Sequence, residues 1–384
     1  MDFDLTDDQR LLKDSVDRLM LDSYSFGQRQ ARWKQADGWS RETWSAFAEL
    51  GLLGLPFAEK EGGFGGTAVD VGLVMEAFGR GLVVEPYFAG IVLSGALLRH
   101  GATAGQRAGL LPAVIAGEKT LAYAQAERQS RYSLNDVATM ATERDGAWRV
   151  HGAKTLVLHG ETADTLIVSA RVSGEERDRG GIALFRVEAD ASGVARRGYP
   201  TQDGSRAAEV NFEDAPATLL GEPGQMQAGG ALHVMERAED EAIAALCAEA
   251  VGLMQVMHDM TVDYLKTRKQ FGRAIGENQA LQHRAVDMYV SLEQARSMAL
   301  FATLMAGSDD ETERRRAIHA AKVQIGQSGR HIGQEAVQLH GGIGVTMEYS
   351  VGHYFKRMTM IERSFGDTQT HLSALARLGG LIAA

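Results

Sequence analysis

The spacing of apolar residues changes twice along the chain, from a helical period to a period of two near residue 119 and back to a helical period after Gly229. That order predicts an α+β multidomain architecture: an N-terminal helical domain, a middle β-barrel domain and a C-terminal four-helix bundle. At about 100–200 residues per domain, the 384 residues divide at 1–118, 119–226 and 227–384.

Local signals place the elements. Thr6 and Gln9 form a capping box ahead of Leu11, Leu12 and Val16, an apolar face at helical spacing. A second helix is predicted from the N-cap Ser40 to Leu50, stopped by Gly51, and a third from Val69 to Phe78, ended by Gly79. A fourth spans Ala104 to Leu111, where Pro112 begins a short turn that ends at Gly117. The glycine-dense stretch from Gly51 to Gly66 reads as a turning loop first, and second as one whose backbone approaches a ligand closely. In the middle, Trp148 with Val150, Thr165–Ala170, Ile182–Val187 and Val210–Phe212 read as strands, separated by turn pairs such as Asp145-Gly146 and Gly180-Gly181. This pattern suits a small barrel or sandwich. Near the end, Leu253, Val256, Met257, Met260 and Tyr264 recur as a core-facing helical stripe. Long helices are expected over 230–267, 279–305, 312–340 and 350–361, with a last one from about 368.

Composition narrows the function. Lys and Arg total 40 against 50 Asp and Glu, a net charge of −10, which disfavours nucleic acid as the main ligand. The basic run Arg314–Arg316 follows Asp309, Asp310, Glu311 and Glu313 and reads as a solvated helix start. No stretch approaches the roughly 18–20 uninterrupted apolar residues of a membrane span, and Met1–Asp4 lacks the basic and apolar regions of a signal peptide. The single cysteine, Cys247, allows no internal disulfide or multi-Cys zinc site and reads as a small buried hydrophobe; a reducing cytoplasm is expected. His100, His151, His159, His340, His353 and His371 show no metal-ligand spacing and read as structural or surface residues. Glycine is in excess, 44 residues with only 6 prolines, spread among the periodic segments. That favours close backbone approaches over a disordered tract.

Four passages, in order, carry a resemblance: Gly51-Leu-Leu-Gly-Leu-Pro56 with Gly62-Gly63; Trp148-Arg-Val-His-Gly-Ala-Lys154 with Ala163-Asp164; Arg268-Lys-Gln-Phe-Gly272 with Gln279; and Gln338-Leu-His-Gly-Gly-Ile-Gly344 with Glu348-Tyr349. On these the chain resembles the acyl-CoA dehydrogenase family over essentially its full length. Its wording is most similar to the small subunits of pimeloyl-CoA dehydrogenase. The resemblance implies a homotetramer, or an α2β2 heterotetramer with a second homologue, that holds FAD. It also implies α,β-dehydrogenation of an acyl-CoA to a trans-2-enoyl-CoA, as in β-oxidation, with electrons passing to electron-transferring flavoprotein.

The same resemblance implies roles for residues. Arg268, with Gln270 and Phe271, crosses to the FAD diphosphate of a neighbouring subunit, where a guanidinium fork meets two oxygens at once. Gln279 belongs to this group. Gln338, Gly341, Gly342 and Gly344 match the loop that receives the adenosine end. Ala126 stands where a hydroxyl meets the flavin, and Leu156 and Leu158 replace the Trp and Thr that flank its ring. Near the C-terminus Phe365-Gly366-Asp367-Thr368 places no Glu at the position of the base, with Thr368 among the cofactor positions. Asp367 and Glu241 are the two candidate bases, beside the reading in which neither serves. Glu241 lies next to the second base position, Ala242, and Ile243 stands where an Arg meets CoA. Four functions follow: an α2β2 subunit whose partner supplies base and flavin contacts, a self-sufficient homo-oligomer using Asp367, a non-catalytic scaffolding subunit, or a flavin oxidase or monooxygenase.

Overall fold

A computed structural model describes residues 5–222, 224 and 229–379. The boundary expected between 226 and 227 and the Met1–Asp4 reading lie outside the described residues.

The first helices form where caps and apolar spacing put them. Helix α1 (Asp7–Ser23) starts at the expected capping box, Thr6 and Gln9 bonding each other's backbone reciprocally. Helix α2 (Phe26–Trp33) follows, then α3 (Arg41–Glu49), capped by Ser40 and stopped at Gly51, whose φ of 76° only glycine adopts easily. In the Gly51–Gly66 loop a side chain at Gly63 would run into the Gly54 and Phe57 carbonyls, so the glycines let the loop fold on itself.

Two expected stops are overturned. Helix α4 (Ala68–Gly81) runs through Gly79. A Cβ there would strike the Glu249 carbonyl, and one at Gly252 would strike the Glu76 carbonyl, so both glycines serve a close helix crossing. After the π-helical turn Tyr87–Ser94, α5 (Gly95–Gly101) leads to α6 (Ala104–Ile115), which continues past Pro112. The Thr103–Gln106 capping box starts α6, and Gly117, at φ 76°, follows its end.

The middle strands are β1 (Leu121–Ala124), β2 (Met140–Arg144), β3 (Ala147–Leu158), β4 (Thr165–Arg171), β5 (Ile182–Glu188), β6 (Val194–Pro200) and β7 (Arg206–Leu219). Pairings β4–β2–β3–β7–β5 return from β5 to β4, closing a barrel, while β1 flanks β4 and β6 flanks β7. Closure leaves no open edge along that path. Val150, Leu166, Val168, Phe185, Val210 and Phe212 fill it. Strand β3 bulges between Lys154 and Val157, where Leu156 takes a φ of 51°.

The C-terminal segment holds α7 (Ala231–Thr267), a hairpin of β8 (Lys269–Gln270) and β9 (Arg273–Ala274), α8 (Gln279–Ala306), α9 (Glu311–His340), α10 (Val351–Arg363) and α11 (Thr368–Arg377). Of the stripe expected on α7, Leu253 and Met257 are fully buried and Val256, Met260 and Tyr264 half-buried. Cys247 is buried there, burial pushing its thiol up to about 12. By length and composition alone α7 is apolar enough to cross a membrane; 72% of its most apolar window is buried inside the protein, as in a core helix. Arg314 is buried and bonds the Ser308 carbonyl, while Arg315 and Arg316 pair with Glu311 and Glu313 one turn back. By compactness the chain forms two units, the described parts of Met1–Gln30, Ala68–Val83 and Ile243–Ala384, and Ala31–Thr67 with Val84–Ala242.

Candidate functional site

The residues singled out in the sequence fall into two sets with opposite environments. The outward set sits on the helical unit. Arg268 follows α7, its N–H donating to the Tyr264 carbonyl at 2.8 Å, and its own carbonyl accepts from Ile275 N–H at 2.9 Å to close the β8–β9 hairpin. Phe271 and Gly272, at φ 53° and 83°, turn the tip, and the Phe271 side chain is wholly exposed. Arg268, Gln270, Gln279, Gln338, Gly341 and Gly342 are exposed as well. Among the described residues neither Arg268 nor Gln338 spends its side chain on a hydrogen bond or ion pair. Gly341 needs its glycine for a φ of 65°, and Gly344 because a Cβ would meet the Val337 carbonyl at 2.9 Å. At Gly342, among the described residues, no atom lies within 4 Å of where a side chain would begin.

The inward set is occupied. Glu241 accepts from Arg99 Nη2 at 2.5 Å and meets His100 Nε2 at 2.7 Å, with Arg237 at 3.6 Å. Burial alone would raise its pKa, but the His100 hydrogen bond and the Arg99 charge hold it at about 2, so Glu241 is a poor proton acceptor. Asp367 is the N-cap of α11, accepting from the Thr370 N–H and hydroxyl at 2.9 and 2.8 Å, and those bonds hold its pKa below the usual value. Thr368 turns inward, its hydroxyl donating to Glu362 at 3.3 Å. At the family's base position, Gly366 has a φ of 111°, and a Cβ would sit 2.7 Å from His371 Nε2. The structure thus places Glu241 as a clamped anion, Asp367 as a helix cap and Thr368 as a contact of Glu362.

Near the flavin-flanking positions, Ala126 contributes its carbonyl to Thr155 N–H at 2.8 Å and has no side-chain donor. Leu156 is 47% exposed and Leu158 half-buried. Behind them lies a pair that the sequence reading missed. Lys154, fully buried, donates to Glu127 at 2.7 Å, to the Gln125 carbonyl at 3.0 Å and to Ser169 at 3.1 Å. Burial would raise Glu127, but the lysine's charge brings it down to about 2, and burial pulls the Lys154 ammonium below its usual value. Val150, Gly152 and Lys154 share one strand face, so a lysine in that phase was the signal for an acidic partner. A groove of about 230 Å³, lined by Glu127, Gln129, Thr139, Lys154, Thr155 and Glu209, opens beside the pair. It is smaller than the roughly 300–1,000 Å³ of small-molecule sites. The buried Thr139 hydroxyl in its wall has no partner among the described residues.

The donor chemistry tests what the sets can hold. A free guanidinium, amides at Gln270, Gln279 and Gln338, and an open backbone at Gly342 fit an anionic dinucleotide such as the diphosphate and adenosine of FAD. The alanine and leucines at 126, 156 and 158 offer a flavin ring no hydroxyl and no aromatic face.

Helical domain, closed β domain and helical bundle, with a dinucleotide-suited surface on the bundle, define a flavin-enzyme architecture. Profiles of the acyl-CoA dehydrogenase N-terminal, middle and C-terminal domains match residues 6–118, 122–215 and 228–379. The chain belongs to the acyl-CoA dehydrogenase family, whose members are oxidoreductases with FAD as the usual cofactor. The mouse long-chain specific acyl-CoA dehydrogenase is 30% identical over 83% of this chain and 74% of its own length. The 3-sulfinopropanoyl-CoA desulfinase of Paraburkholderia xenovorans is 29% identical over 96% and 94%. Among solved structures, a chain of the Tcur3481-Tcur3483 steroid ACAD, a point variant, superposes with a TM-score of 0.85 at 28% identity, covering 97% of each chain.

Proposed function

We propose that this chain is the FAD-completing subunit of a two-chain acyl-CoA dehydrogenase, presenting its outward set to a cofactor whose ring is held by a homologous partner. The observation that carries this is the β8–β9 hairpin: it displays a fully exposed Phe271 and an Arg268 whose side chain has no hydrogen bond or ion pair among the described residues. Leaving a large aromatic ring in water forgoes about 1.5–3 kcal/mol of burial, which a neighbouring subunit recovers.

In this reading FAD, when bound, supplies the acceptor for the hydride that leaves Cβ of an acyl-CoA. This chain's Arg268 fork neutralises diphosphate charge, its Gln338–Gly342 loop orients the adenosine end, and Phe271 shields the junction from water. The base that takes the Cα proton comes from the partner, because Glu241 and Asp367 are committed elsewhere. The product is a trans-2-enoyl-CoA, and the electrons pass to an electron-transferring flavoprotein. The likeness to a steroid ACAD supports a bulky acyl group as substrate.

The test is the visible spectrum of the purified chain. No flavin alone, but a flavin bleached by an acyl-CoA after co-expression with a homologue from a neighbouring gene, is the expected result. Flavin bound and bleached by the chain alone overturns the reading in favour of a self-sufficient homo-oligomer. Oxygen uptake without an electron-transfer partner points to an oxidase.

A further inference from the structure

We propose that His340 is a positioning residue that locks the β8–β9 hairpin and the Gly341–Val345 turn into one rigid platform, so that both meet a single dinucleotide in register. The proposal rests on the outward set serving FAD, as argued above.

Hairpin and turn are two separate loops, solvent-facing over residues 269–273 and over 341–348 apart from the buried Gly344, and exposed loops with little buried surface of their own open at low cost. Between their roots lies the His340 ring, 3% exposed, at the last position of α9. The Ala336 carbonyl accepts from Nδ1–H at 2.8 Å, which fixes both the ring plane and the tautomer. One side of the ring meets Tyr264 at 4.6 Å between centroids, and Tyr349 lies at 5.1 Å. Tyr264 supplies the carbonyl that holds Arg268 N–H, so the ring's first neighbour is on the last turn of α7, one helical turn before the hairpin. On the side of the turn, a Cβ at Gly344 would lie 3.2 Å from the His340 Cβ, so the turn packs directly over the same residue. Gln338 is two residues upstream on the same helical turn. Arg268 and the Gln338–Gly342 loop are thus joined through one imidazole, with no other function for that imidazole in the chemistry described above.

The experiment uses the co-expressed two-chain complex, stripped of flavin and titrated with FAD by its absorbance and fluorescence. Arg268→Ala serves as the reference, weakening FAD binding. His340→Ala is expected to weaken it about tenfold, the scale of two lost aromatic contacts. His340→Phe, which keeps the ring stack, recovers most of that loss. The double variant Arg268→Ala with His340→Ala should fall short of the product of the single effects, since a displaced Arg268 has already lost its contact. A residue that only stabilises the fold lowers the thermal midpoint and leaves FAD affinity untouched. An unchanged affinity in His340→Ala beside a weakened Arg268→Ala therefore overturns the proposal while the subunit reading stands. If Arg268→Ala is also silent, the subunit reading fails and takes this inference with it. Should His340→Ala not assemble, His340→Leu keeps the volume without the ring and carries the same expectations.

Discussion

The hairpin and turn at residues 268–274 and 338–345 and the capped or salt-bridged positions at 127, 154, 241 and 367 all carry polar side chains and use them in opposite ways. In the first region Arg268, Phe271 and Gln338 face solvent, and neither Arg268 nor Gln338 has a side-chain hydrogen bond or ion pair among the described residues. In the second every carboxylate singled out is already committed, Glu127 to Lys154, Glu241 to Arg99 and His100, Asp367 to its own helix. A carboxylate held as an anion by several donors is a stabilising element and a weak base at once, because the donors that lower its pKa also lower its affinity for a substrate proton. Motif position alone does not separate the two cases; partner count does.

The contrast is sharpest in stability measurements. Lys154→Met leaves Glu127 buried without its countercharge and is expected to cost about 3–5 kcal/mol, read from denaturant unfolding. If the cost is below about 1 kcal/mol, the buried pair is not holding the loop to the barrel.

Acid comes next. His319 and His371 face each other at 2.8 Å between Nδ1 atoms, with His371 Nε2 on the Phe365 carbonyl at 3.1 Å. Burial, with Arg315 and Arg377 nearby, lowers His319 to about 4, and burial with Lys322 lowers His371 to about 3. Both folded values lie below the ordinary 6.5, so the pair's contribution is complete above pH 6.5 and is lost as pH falls toward 4. Over that window the loss summed over both rings is on the order of 5 kcal/mol. The thermal midpoint should drop between pH 6.5 and 5.5, above the range where carboxylates of the unfolded chain take up protons, and His371→Leu should flatten that slope. An equally steep slope in the variant removes the pair as its source.

The smallest effects discriminate most directly. Asp367→Ala removes an N-cap and should cost about 1 kcal/mol, whereas Phe271→Ala should stay within about 0.5 kcal/mol, as for an exposed residue. A large loss of stability from Phe271→Ala in the isolated chain means that the hairpin already packs against something in that chain.

Much of this fold was legible because its signals are local. The Thr6–Gln9 and Ser40 caps and the strands at Thr165 and Ile182 follow from neighbours within a few residues. Gly79 and Pro112 misled for the same reason: a glycine that ends a helix and one that lets two helices touch look alike until the second helix, some 170 residues away in sequence, is in place. Strands β1, β2 and β6 were missed, since short strands that complete a barrel owe their form to their neighbours' hydrogen bonds. For the site, residue types at 268–271 and 338–342 could be read, but their exposure could not. Glu127 and Lys154 stood in plain view, yet their pairing spans 27 positions and depends on strand phase.

The reciprocal crossing of Gly79 and Gly252 has a further consequence. With only hydrogen between each glycine and the opposing carbonyl, the separation of those two helices is set by peptide geometry, which substitution cannot alter. Core residues elsewhere are free to trade volume with one another over evolutionary drift. At this crossing every replacement is an addition, so the interval acts as a fixed gauge block against which the rest of the helical unit is free to vary.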